Sequence, residues 1–387
     1  MSLGKKIKNA AINSYVSLCR LFCKTDNEKV VFVSFHGKSY SDNPRAVSEA
    51  LHEIRPQTKI VWAFKSGADK DIPSYIKPVD IDNMTAYYKE LATCSAFVTN
   101  YGLQHIPKSD KQFFVQTWHG DRGFKKILYD IAPDRGLVNE AIDGYCDLAI
   151  AGCELAVKVY RSAFRYKGEI LKSGMPRNDI LIHPDEARGK RTREKLGINE
   201  NVRLMLYAPT MRRESKASRS AQKMQNIDIN RTLDALEKKT ECRWKCLLRA
   251  HPSSFGLEGA KSDGRIIDAS EYSDMADLLL VSDMLITDYS SCAGDFALLG
   301  RPLILFQSDR DEYLENDRTF YFDIDKSPYY AAKDQRELEE MIETLDDEKA
   351  RVNCSDILEF YGTAETGHAS RSVAERISSH INSLRNK

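Results

Sequence analysis

The stretch LITDYSSCAGDFALLGRPLILF, residues 285–306, contains two short apolar runs separated by a polar turn and a helical pattern. Neither run alternates polar and apolar residues, which is typical of strands that are buried on both faces of a sheet. Two such strands joined by a helix form a βαβ unit, and this connection makes the strands parallel. The stretch therefore predicts a parallel sheet that is covered by helices.

The same alternation of apolar strands and helices runs through most of the chain. Strands are predicted at 29–35, 59–64, 95–99, 111–117, 147–152 and 168–173, and again at 203–209, 244–250, 265–269, 283–288 and 302–306. Helices are predicted at 44–54, 83–93, 153–164, 177–182, 228–239, 274–281, 290–299 and 368–385. The fold class is α/β, with two tandem Rossmann-like domains preceded by an N-terminal amphipathic helix. Ligands are expected where the carboxyl ends of the strands face a cleft between the domains.

The domain boundaries follow from where this alternation stops and resumes. We expect an amphipathic helix over 1–28, an N-terminal Rossmann-like domain over 29–184 and a charged linker helix over 185–200. A C-terminal Rossmann-like domain is expected over 201–365, followed at 366–387 by a helix that crosses back onto the first domain.

Composition excludes several classes of protein. The chain has 387 residues, of which 42% are hydrophobic and 29% charged, as in a soluble globular protein long enough for two cores. Its 57 basic and 57 acidic residues cancel, so any attraction for anions must come from local clusters. The nine cysteines form no CxxC pair and indicate reduced, mostly buried thiols of a cytosolic protein. No basic helix is interleaved with aromatic residues, so a nucleic-acid partner is not expected.

The N-terminal segment combines lysines with a helical apolar pattern. Lys5, Lys6 and Lys8 precede apolar or aromatic residues at helical spacing, namely Ile12, Tyr15, Val16, Cys19 and Phe22. The segment is too short and too polar to span a bilayer, and it lacks the continuous apolar core and cleavage site of a signal peptide. Two interpretations remain: a helix that lies on an anionic membrane surface, and a helix that packs on its own domain.

Polar residues directly follow several of the predicted strands. Ser290 and Ser291 stand where a helix begins, and their hydroxyls with the free amides of the first turn favour an anion. Basic residues follow neighbouring strands at Arg212, Arg249 and His251. Together these positions indicate a pyrophosphate site on one rim of the second domain, although each serine could equally be an ordinary helix cap.

The motifs that are absent also narrow the choice. The chain has no GxxxxGK[ST] and no GxGxxG, which argues against P-loop enzymes and nicotinamide dehydrogenases. Paired aspartates occur at Asp80/Asp82 and Asp323/Asp325, but such pairs are common by chance at strand edges. We expect neither a metal nor another cofactor.

Six motifs occur in an order that resembles a known family. They are SYSDNPRAVSEAL (39–51), QTWHG (116–120), SGMPRNDIL (173–181), YAPTMRR (207–213), RAHP (249–252) and ITDYSSCAGDFALLGRPLILF (286–306). The chain resembles, over roughly residues 30–365, the CDP-glycerol glycerophosphotransferases of teichoic-acid and capsule synthesis. The resemblance implies transfer of glycerol phosphate, or of a related polyol phosphate, from a CDP-activated donor to a hydroxyl of a lipid-linked or polymeric acceptor, with release of CMP. It also implies a two-domain, glycosyltransferase-B-like architecture, in agreement with the tandem sheets, and a peripheral enzyme on the cytoplasmic face of the cell membrane.

The resemblance also implies roles for individual residues. His119, in TrpHisGly, matches the proposed catalytic base, which would place the base and the acceptor in the N-terminal domain. His251, Ser290, Ser291 and Arg212 match donor-binding positions of the C-terminal domain. Arg177 and Asp179 match a motif that we expect at the cleft, as we do Asp288 at the end of its strand. The chain departs from the family after TrpHisGly, where it reads DRGFKK, apparently one residue longer, which bears on the acceptor side.

Two other functions are compatible with these patterns. One is a glycosyltransferase of the same fold that uses a nucleotide sugar, because fold alone does not specify the donor. The other is a non-catalytic scaffold that binds the polymer without turning it over.

Overall fold

The structure is a computed structural model that describes residues 3–67, 71–102, 108–131, 145–210, 227–250, 264–316 and 319–385. The chain forms two compact units. The first comprises Met1–Asp121, Ala132–Asp179 and Ala364–Lys387, and the second comprises Arg122–Ile131 and Ile180–Thr363, insofar as these residues are described.

The first unit is built on a seven-stranded, fully parallel sheet in the order β3-β2-β1-β4-β5-β6-β7. Its strands are β1 (Asp26–Val33), β2 (Lys59–Phe64), β3 (Lys77–Asp80), β4 (Cys94–Thr99), β5 (Phe113–Gln116), β6 (Leu148–Ala151) and β7 (Glu169–Lys172). The central strands consist of Val, Ile, Phe and Ala and are buried on both faces, as near-continuous apolar runs require.

Helices cover both faces of this sheet. They are α1 (Leu3–Phe22), α2 (Asp42–Ile54), α3 (Met84–Thr93), α4 (Glu154–Ser162) and α13 (Ala369–Arg385). On one face, Val373 and Ile377 of α13 and Val47 of α2 belong to one apolar core with the strands. On the other face, Ile12 and Val16 of α1 pack with α3. The apolar stripe recognised in the N-terminal segment is therefore largely used within the first unit.

The second unit is built on a six-stranded parallel sheet in the order β10-β9-β8-β11-β12-β13. Its strands are β8 (Arg203–Ala208), β9 (Trp244–Leu248), β10 (Ile266–Asp268), β11 (Met284–Thr287), β12 (Leu303–Phe306) and β13 (Ala331–Ala332). Its helices are α5 (Asp179–Ile182, whose first residue belongs to the first unit), α6 (Glu186–Lys195), α7 (Ile229–Thr240), α8 (Met275–Val281), α9 (Cys292–Phe296), α10 (Arg310–Asn316), α11 (Gln335–Thr344) and α12 (Asp347–Tyr361). Its core combines Leu233 of α7 and Leu338 of α11 with the strands.

Two parallel α/β sheets in tandem confirm the predicted fold class. The short strands β3 and β13 and the helices α10–α12 were not predicted from the sequence. In β3 only Val79 is buried, and β13 has only two residues, so neither produces an apolar run.

The units differ from the expected boundaries chiefly because residues 122–131 belong to the second unit, and also because residues 180–184 lie in the second unit and residues 364–365 in the first. Arg122, fully buried, donates to the Asp295 carboxylate at 3.0 Å in an ion pair with that side chain. Phe124 packs against Phe322 and Tyr329. The polar residues of DRGFKK give no indication of these contacts, because sequence alone does not distinguish a buried arginine from an exposed one.

None of the helices formed by the described residues is both long enough and apolar enough to cross a membrane.

Candidate active site

His119 follows β5 at the carboxyl edge of the first sheet. Its Nδ1 lies 2.7 Å from the backbone oxygen of Asn100, which follows the neighbouring strand β4. A carbonyl oxygen can only accept, so Nδ1 carries the proton and Nε2 carries the lone pair. No hydrogen bond to Nε2 is formed within the described part of the chain. The ring is thus fixed in the tautomer that can take a proton at Nε2.

Asn100 is the residue that joins His119 to the loop after β1. Its side-chain oxygen accepts from the backbone amide of Phe35 at 2.9 Å. Its side-chain nitrogen donates to the Asp42 carboxylate at 3.0 Å and to the Ser34 hydroxyl at 3.3 Å. Asn100 is fully buried, and these bonds satisfy its amide group. The partner that sets the His119 tautomer is therefore itself held rigidly.

Arg177 is placed beneath the same histidine. Its guanidinium pairs with Asp42 at 3.1 Å and donates to the backbone oxygen of His119 at 2.9 Å. Asn43 donates to the Trp118 oxygen at 2.9 Å and accepts from the Arg177 amide at 3.0 Å. Arg177, for which the sequence predicts a position at a cleft, is buried, and its guanidinium holds the backbone of His119.

Burial lowers the pKa of His119 from its ordinary value of 6.5, and the guanidinium of Arg177 acts in the same direction. The hydrogen bond to Asn100 and the charge of Asp42 oppose this shift without cancelling it. The imidazole is therefore neutral at physiological pH, which is the state a general base requires.

Strained backbone is concentrated around His119. Phe35, His36, Asp42 and Trp118 all have positive φ angles, of 44°, 58°, 63° and 53°. Each lies after β1 or β5, and such conformations are costly for residues other than glycine. Strain of this kind persists where the surrounding contacts force it, and it is frequent at functional sites.

A second imidazole lies near the first. The Tyr101 ring stands 4.3 Å from the His36 ring and 5.1 Å from the His119 ring, measured between centroids. Sequence reasoning missed His36, Tyr101 and Asn100. Their only signal was position, since each directly follows a predicted strand.

Asp179 has a structural contact in the first unit. Its carboxylate accepts from the amides of Ala369 and Ser370, at 2.9 and 2.8 Å, and from the Ser370 hydroxyl. It thereby caps the first turn of α13. Glu365, just upstream, accepts from the Met175 amide at 2.9 Å, so this region holds the loop that carries Arg177.

At the carboxyl edge of the second sheet, Asp288 fixes the end of β8. Its carboxylate accepts from the Thr210 amide at 2.9 Å and from the Thr210 hydroxyl at 2.6 Å. The side chain is fully buried and also accepts from the amide of Tyr289. Asp288 therefore shapes the loop between its own strand and β8.

Ser290 and Ser291 lie between β11 and α9, and both are partly exposed. The Ser290 hydroxyl is 3.4 Å from the Cys292 amide, and Ser291 makes no side-chain cap. Behind them α9 is fixed by the Arg122–Asp295 pair. Gly294 makes this possible, because a Cβ there would lie 2.6 Å from the Arg122 side chain.

Arg249 follows β9, two strands from β11 in the same sheet, and donates to the Tyr272 oxygen at 2.8 Å. Since the strands are parallel, Arg249 and the two serines share one edge of the second unit. Arg212 and His251 lie outside the residues that the structure describes.

The paired aspartates have protein partners. Asp82 accepts from the Ser66 amide, Asp323 pairs with Lys326, and Asp325 pairs with Arg310. Across the described ranges no three His, Cys, Asp or Glu side chains are grouped as metal ligands would be.

Comparison with known proteins gives the family. The family model described as CDP-Glycerol:Poly(glycerophosphate) glycerophosphotransferase matches residues 15–379. The chain belongs to this family. It is 30% identical to the teichoic acid poly(glycerol phosphate) polymerase of Bacillus spizizenii, over 91% of this chain and 92% of the relative. It is 29% identical to the teichoic acid glycerol-phosphate transferase of Staphylococcus aureus, over 96% of this chain and 98% of the relative.

The fold agrees with a solved member of this group. The wall teichoic acid polymerase TagF, as a histidine-to-asparagine variant soaked with CDPG, superposes with a TM-score of 0.83 at 26% identity over 99% of both chains. The resemblance drawn from the six motifs is confirmed. The predicted enzyme class, a glycerophosphotransferase of teichoic-acid synthesis that uses a CDP-activated donor, is confirmed with it.

Proposed function

We propose that His119 is the general base that takes the proton of the acceptor hydroxyl when glycerol phosphate is transferred from CDP-glycerol. The observation that carries the proposal is the bond from His119 Nδ1 to the Asn100 oxygen, which leaves Nε2 as the basic atom. A positioned base of this kind contributes about 10²–10⁴ to rate.

The reaction joins the acceptor oxygen to the phosphorus that bears glycerol. The bond from that phosphorus to the oxygen shared with CMP breaks, and CMP leaves with the bonding electrons. His119 Nε2 accepts the hydroxyl proton and returns it to solvent. Negative charge that grows on the leaving phosphate needs hydrogen-bond donors that are already in place.

We propose that the carboxyl edge of the second sheet supplies the hydrogen-bond donors for the leaving phosphate. Ser290, Ser291 and Arg249 share this edge, and Arg212 and His251 join the proposal from the sequence motifs. Partly exposed hydroxyls on the same sheet edge as an arginine suit a pyrophosphate, which accepts several hydrogen bonds and carries charge. The first unit would then hold the acceptor and base, and the second would hold the donor.

The test is release of CMP from CDP-glycerol by the whole chain, with CDP-ribitol and a UDP-sugar offered in parallel. A polyol-phosphate transferase releases CMP only when acceptor is present, and His119→Asn retains donor binding without turnover. Release of UDP from the sugar donor would favour the glycosyltransferase alternative. Binding of polymer without any CMP release would leave only the scaffold.

We propose further that α1 docks the enzyme on an anionic membrane surface at the cytoplasmic face, where the polymer's lipid-linked acceptor would lie. While Ile12 and Val16 pack on α3, four other apolar side chains of this helix are largely exposed. They are Ile7 (63%), Leu18 (54%), Leu21 (74%) and Phe22 (78%).

Their spacing places these four residues on one face of the helix, opposite the packed stripe. At 100° per residue, Lys8 borders that face on one side and Lys6 borders it on the other. An apolar face flanked by lysines matches the boundary between acyl chains and anionic headgroups. An exposed apolar face of this kind is typical of a surface that binds a membrane or another protein.

Co-sedimentation with vesicles tests the docking face. Leu18→Asp/Leu21→Asp should abolish binding to vesicles containing phosphatidylglycerol and leave the melting temperature unchanged, because neither side chain is packed. The control is Val352→Asp, an equally exposed apolar residue on α12. Equal partitioning of all three proteins would refute the proposal.

A further inference from the structure

Four side chains form a row along the carboxyl edge of the first sheet, beside His119. Lys65 follows β2, His36 and Lys38 follow β1, and Tyr101 follows β4. In the strand order β2-β1-β4-β5, Lys65 follows the first strand, and His36 and Lys38 follow the second. Tyr101 follows the third strand, and His119 follows the fourth. The catalytic role proposed for His119 does not use any of these four residues.

The loop that carries His36 is strained and tightly held. Phe35, His36 and Gly37 have consecutive positive φ angles of 44°, 58° and 83°. The Gly37 oxygen accepts from the Lys65 amide at 2.8 Å, which ties the loop to the end of β2. A Cβ at Gly37 would clash with Ile81 and lie 2.9 Å from the Lys65 nitrogen. Positive φ angles are energetically costly at Phe35 and His36, so the surrounding contacts must hold His36 in this backbone conformation.

The row also concentrates positive charge. Burial lowers the pKa of His36, and the charges of Lys65 and Lys38, which follow the adjacent strands β2 and β1, act in the same direction. Both lysines are exposed, and in the described ranges neither one forms an ion pair or donates a side-chain hydrogen bond. The neighbouring carboxylate of Asp82 is engaged with the Ser66 amide.

The spacing of the row fits a small phosphate ester. The His36 and His119 rings lie 4.3 and 5.1 Å from the same Tyr101 ring, so the two imidazole centroids are less than about 10 Å apart. An extended three-carbon polyol phosphate, with a hydrogen bond at either end, spans a distance of this order. The exposed Tyr101 ring lies between the two imidazoles and offers an apolar surface to the carbon backbone.

We propose that His36, Lys38 and Lys65 bind a phosphate of the acceptor, so that the enzyme selects an acceptor that already carries a polyol phosphate at its end. This inference rests on the proposed role of His119 as the acceptor base. The Tyr101 ring spaces the bound phosphate from the reacting hydroxyl. The site thereby favours extension of an existing polyol-phosphate unit over modification of an acceptor without phosphate.

Two acceptors distinguish this subsite from general damage. One is a soluble glycerol phosphate dimer, and the other is a glyceryl ether of equal length without phosphate. With saturating CDP-glycerol, Lys38→Gln/Lys65→Gln and His36→Asn should each raise the KM for the dimer about tenfold, while kcat changes less than twofold. Asn is chosen because it tolerates the left-handed conformation. Neither variant should change the KM for the ether.

The matched control is Lys167→Gln, which removes an exposed lysine just before β7, at the opposite edge of the same sheet. It should leave both KM values unchanged. Equal increases for both acceptors in the His36 and lysine variants, or no increase for either, would overturn the subsite.

Direct binding separates this proposal from the proposed function. Titration of the dimer into the whole chain without donor, at two salt concentrations, measures the subsite alone. If the wild-type protein binds the dimer, the lysine variant should bind it more weakly and with a smaller salt dependence. This result would support the subsite even if CDP-glycerol were not turned over. Unchanged binding in the variants, with normal CMP release, would reject the subsite and leave the role of His119 standing.

Discussion

At the carboxyl edge of the first sheet, four residues other than glycine adopt positive φ angles, whereas no described residue at the corresponding edge of the second sheet does. The first edge is assembled from far-apart parts of the chain, as when Arg177 meets Asp42. The second edge combines a long-range contact, from Thr210 to Asp288, with local ones, from the Tyr289 amide to Asp288 and from the Cys292 amide to Ser290. A base must be held in one orientation and tautomer, while a phosphate accepts donors from many directions. The difference in backbone strain fits the roles proposed for the two edges.

The largest expected effect comes from removing the base. His119→Ala should lower turnover by a factor of about 10²–10⁴, because a positioned general base contributes that much. The affinity for CDP-glycerol and the melting temperature should stay at wild-type values. The control is His183→Ala, which removes an exposed histidine of the second unit. A folded His119 variant with near-normal turnover would show that the strained edge does not serve proton transfer.

Loss of the Arg177 guanidinium should mainly reduce stability. In Arg177→Met the buried carboxylate of Asp42 loses its ionic partner, which costs about 3–5 kcal/mol in the free energy of unfolding. Denaturation by urea measures this cost.

The double variant Asp42→Asn/Arg177→Met removes both charges and should recover most of that stability. Its turnover should stay low, because the His119 backbone oxygen has still lost its donor. Full recovery of both stability and turnover would mean that Arg177 does not position the base.

Changes at the two serines of the second edge should be milder. Ser290→Ala/Ser291→Ala should weaken binding of CDP-glycerol about tenfold, since two hydroxyl donors to a charged phosphate are lost while backbone amides remain. Ser327→Ala in the same unit removes one comparable local hydrogen bond and serves as the control. Calorimetric affinities that are equal in all three proteins would remove the serines from the donor site.

The smallest effect is a shift in pH dependence. Because the pKa of His119 lies below 6.5, kcat/KM should stay level at neutral pH and fall only on acidification below that value. The lowered pKa also means that the unfolded chain binds the extra proton first, so this contribution to stability is present above pH 6.5 and is lost as pH falls.

Arg177→Met should shift the fall of kcat/KM on acidification to higher pH. The reason is that a charge that lowers the His119 pKa is removed, while Asp42, which raises it, remains. A fall that stays at the same pH in the variant would indicate that another group controls the rate.

The fold could be predicted from the sequence because its central strands are continuous apolar runs. Thus β11 (Met284–Thr287) and β12 (Leu303–Phe306) coincide with the stretch that first indicated a parallel sheet. His119 and the two serines could be singled out because each follows such a run. The network of Asn100, Asp42 and Arg177 could not be, because its members are brought together only by strand order and loop conformation.

The same limit explains Arg122. Its neighbours in the sequence are polar, and nothing local marks it as a fully buried side chain that fits over Gly294. Only the two residues together, distant in the sequence, explain why a glycine stands in the middle of α9.

The path of the chain has a consequence for its synthesis. α13, near the C-terminal end, completes the core of the first unit, and Glu365 and Asp179 join its start to the loop of Met175 and Arg177. During synthesis the second unit can therefore complete its fold before the first. The strands of the first unit are made earlier, and their apolar surface stays uncovered until α13 is made. The unit that emerges before the other is finished after it, and translation that stops ahead of residue 364 leaves His119 without a completed scaffold.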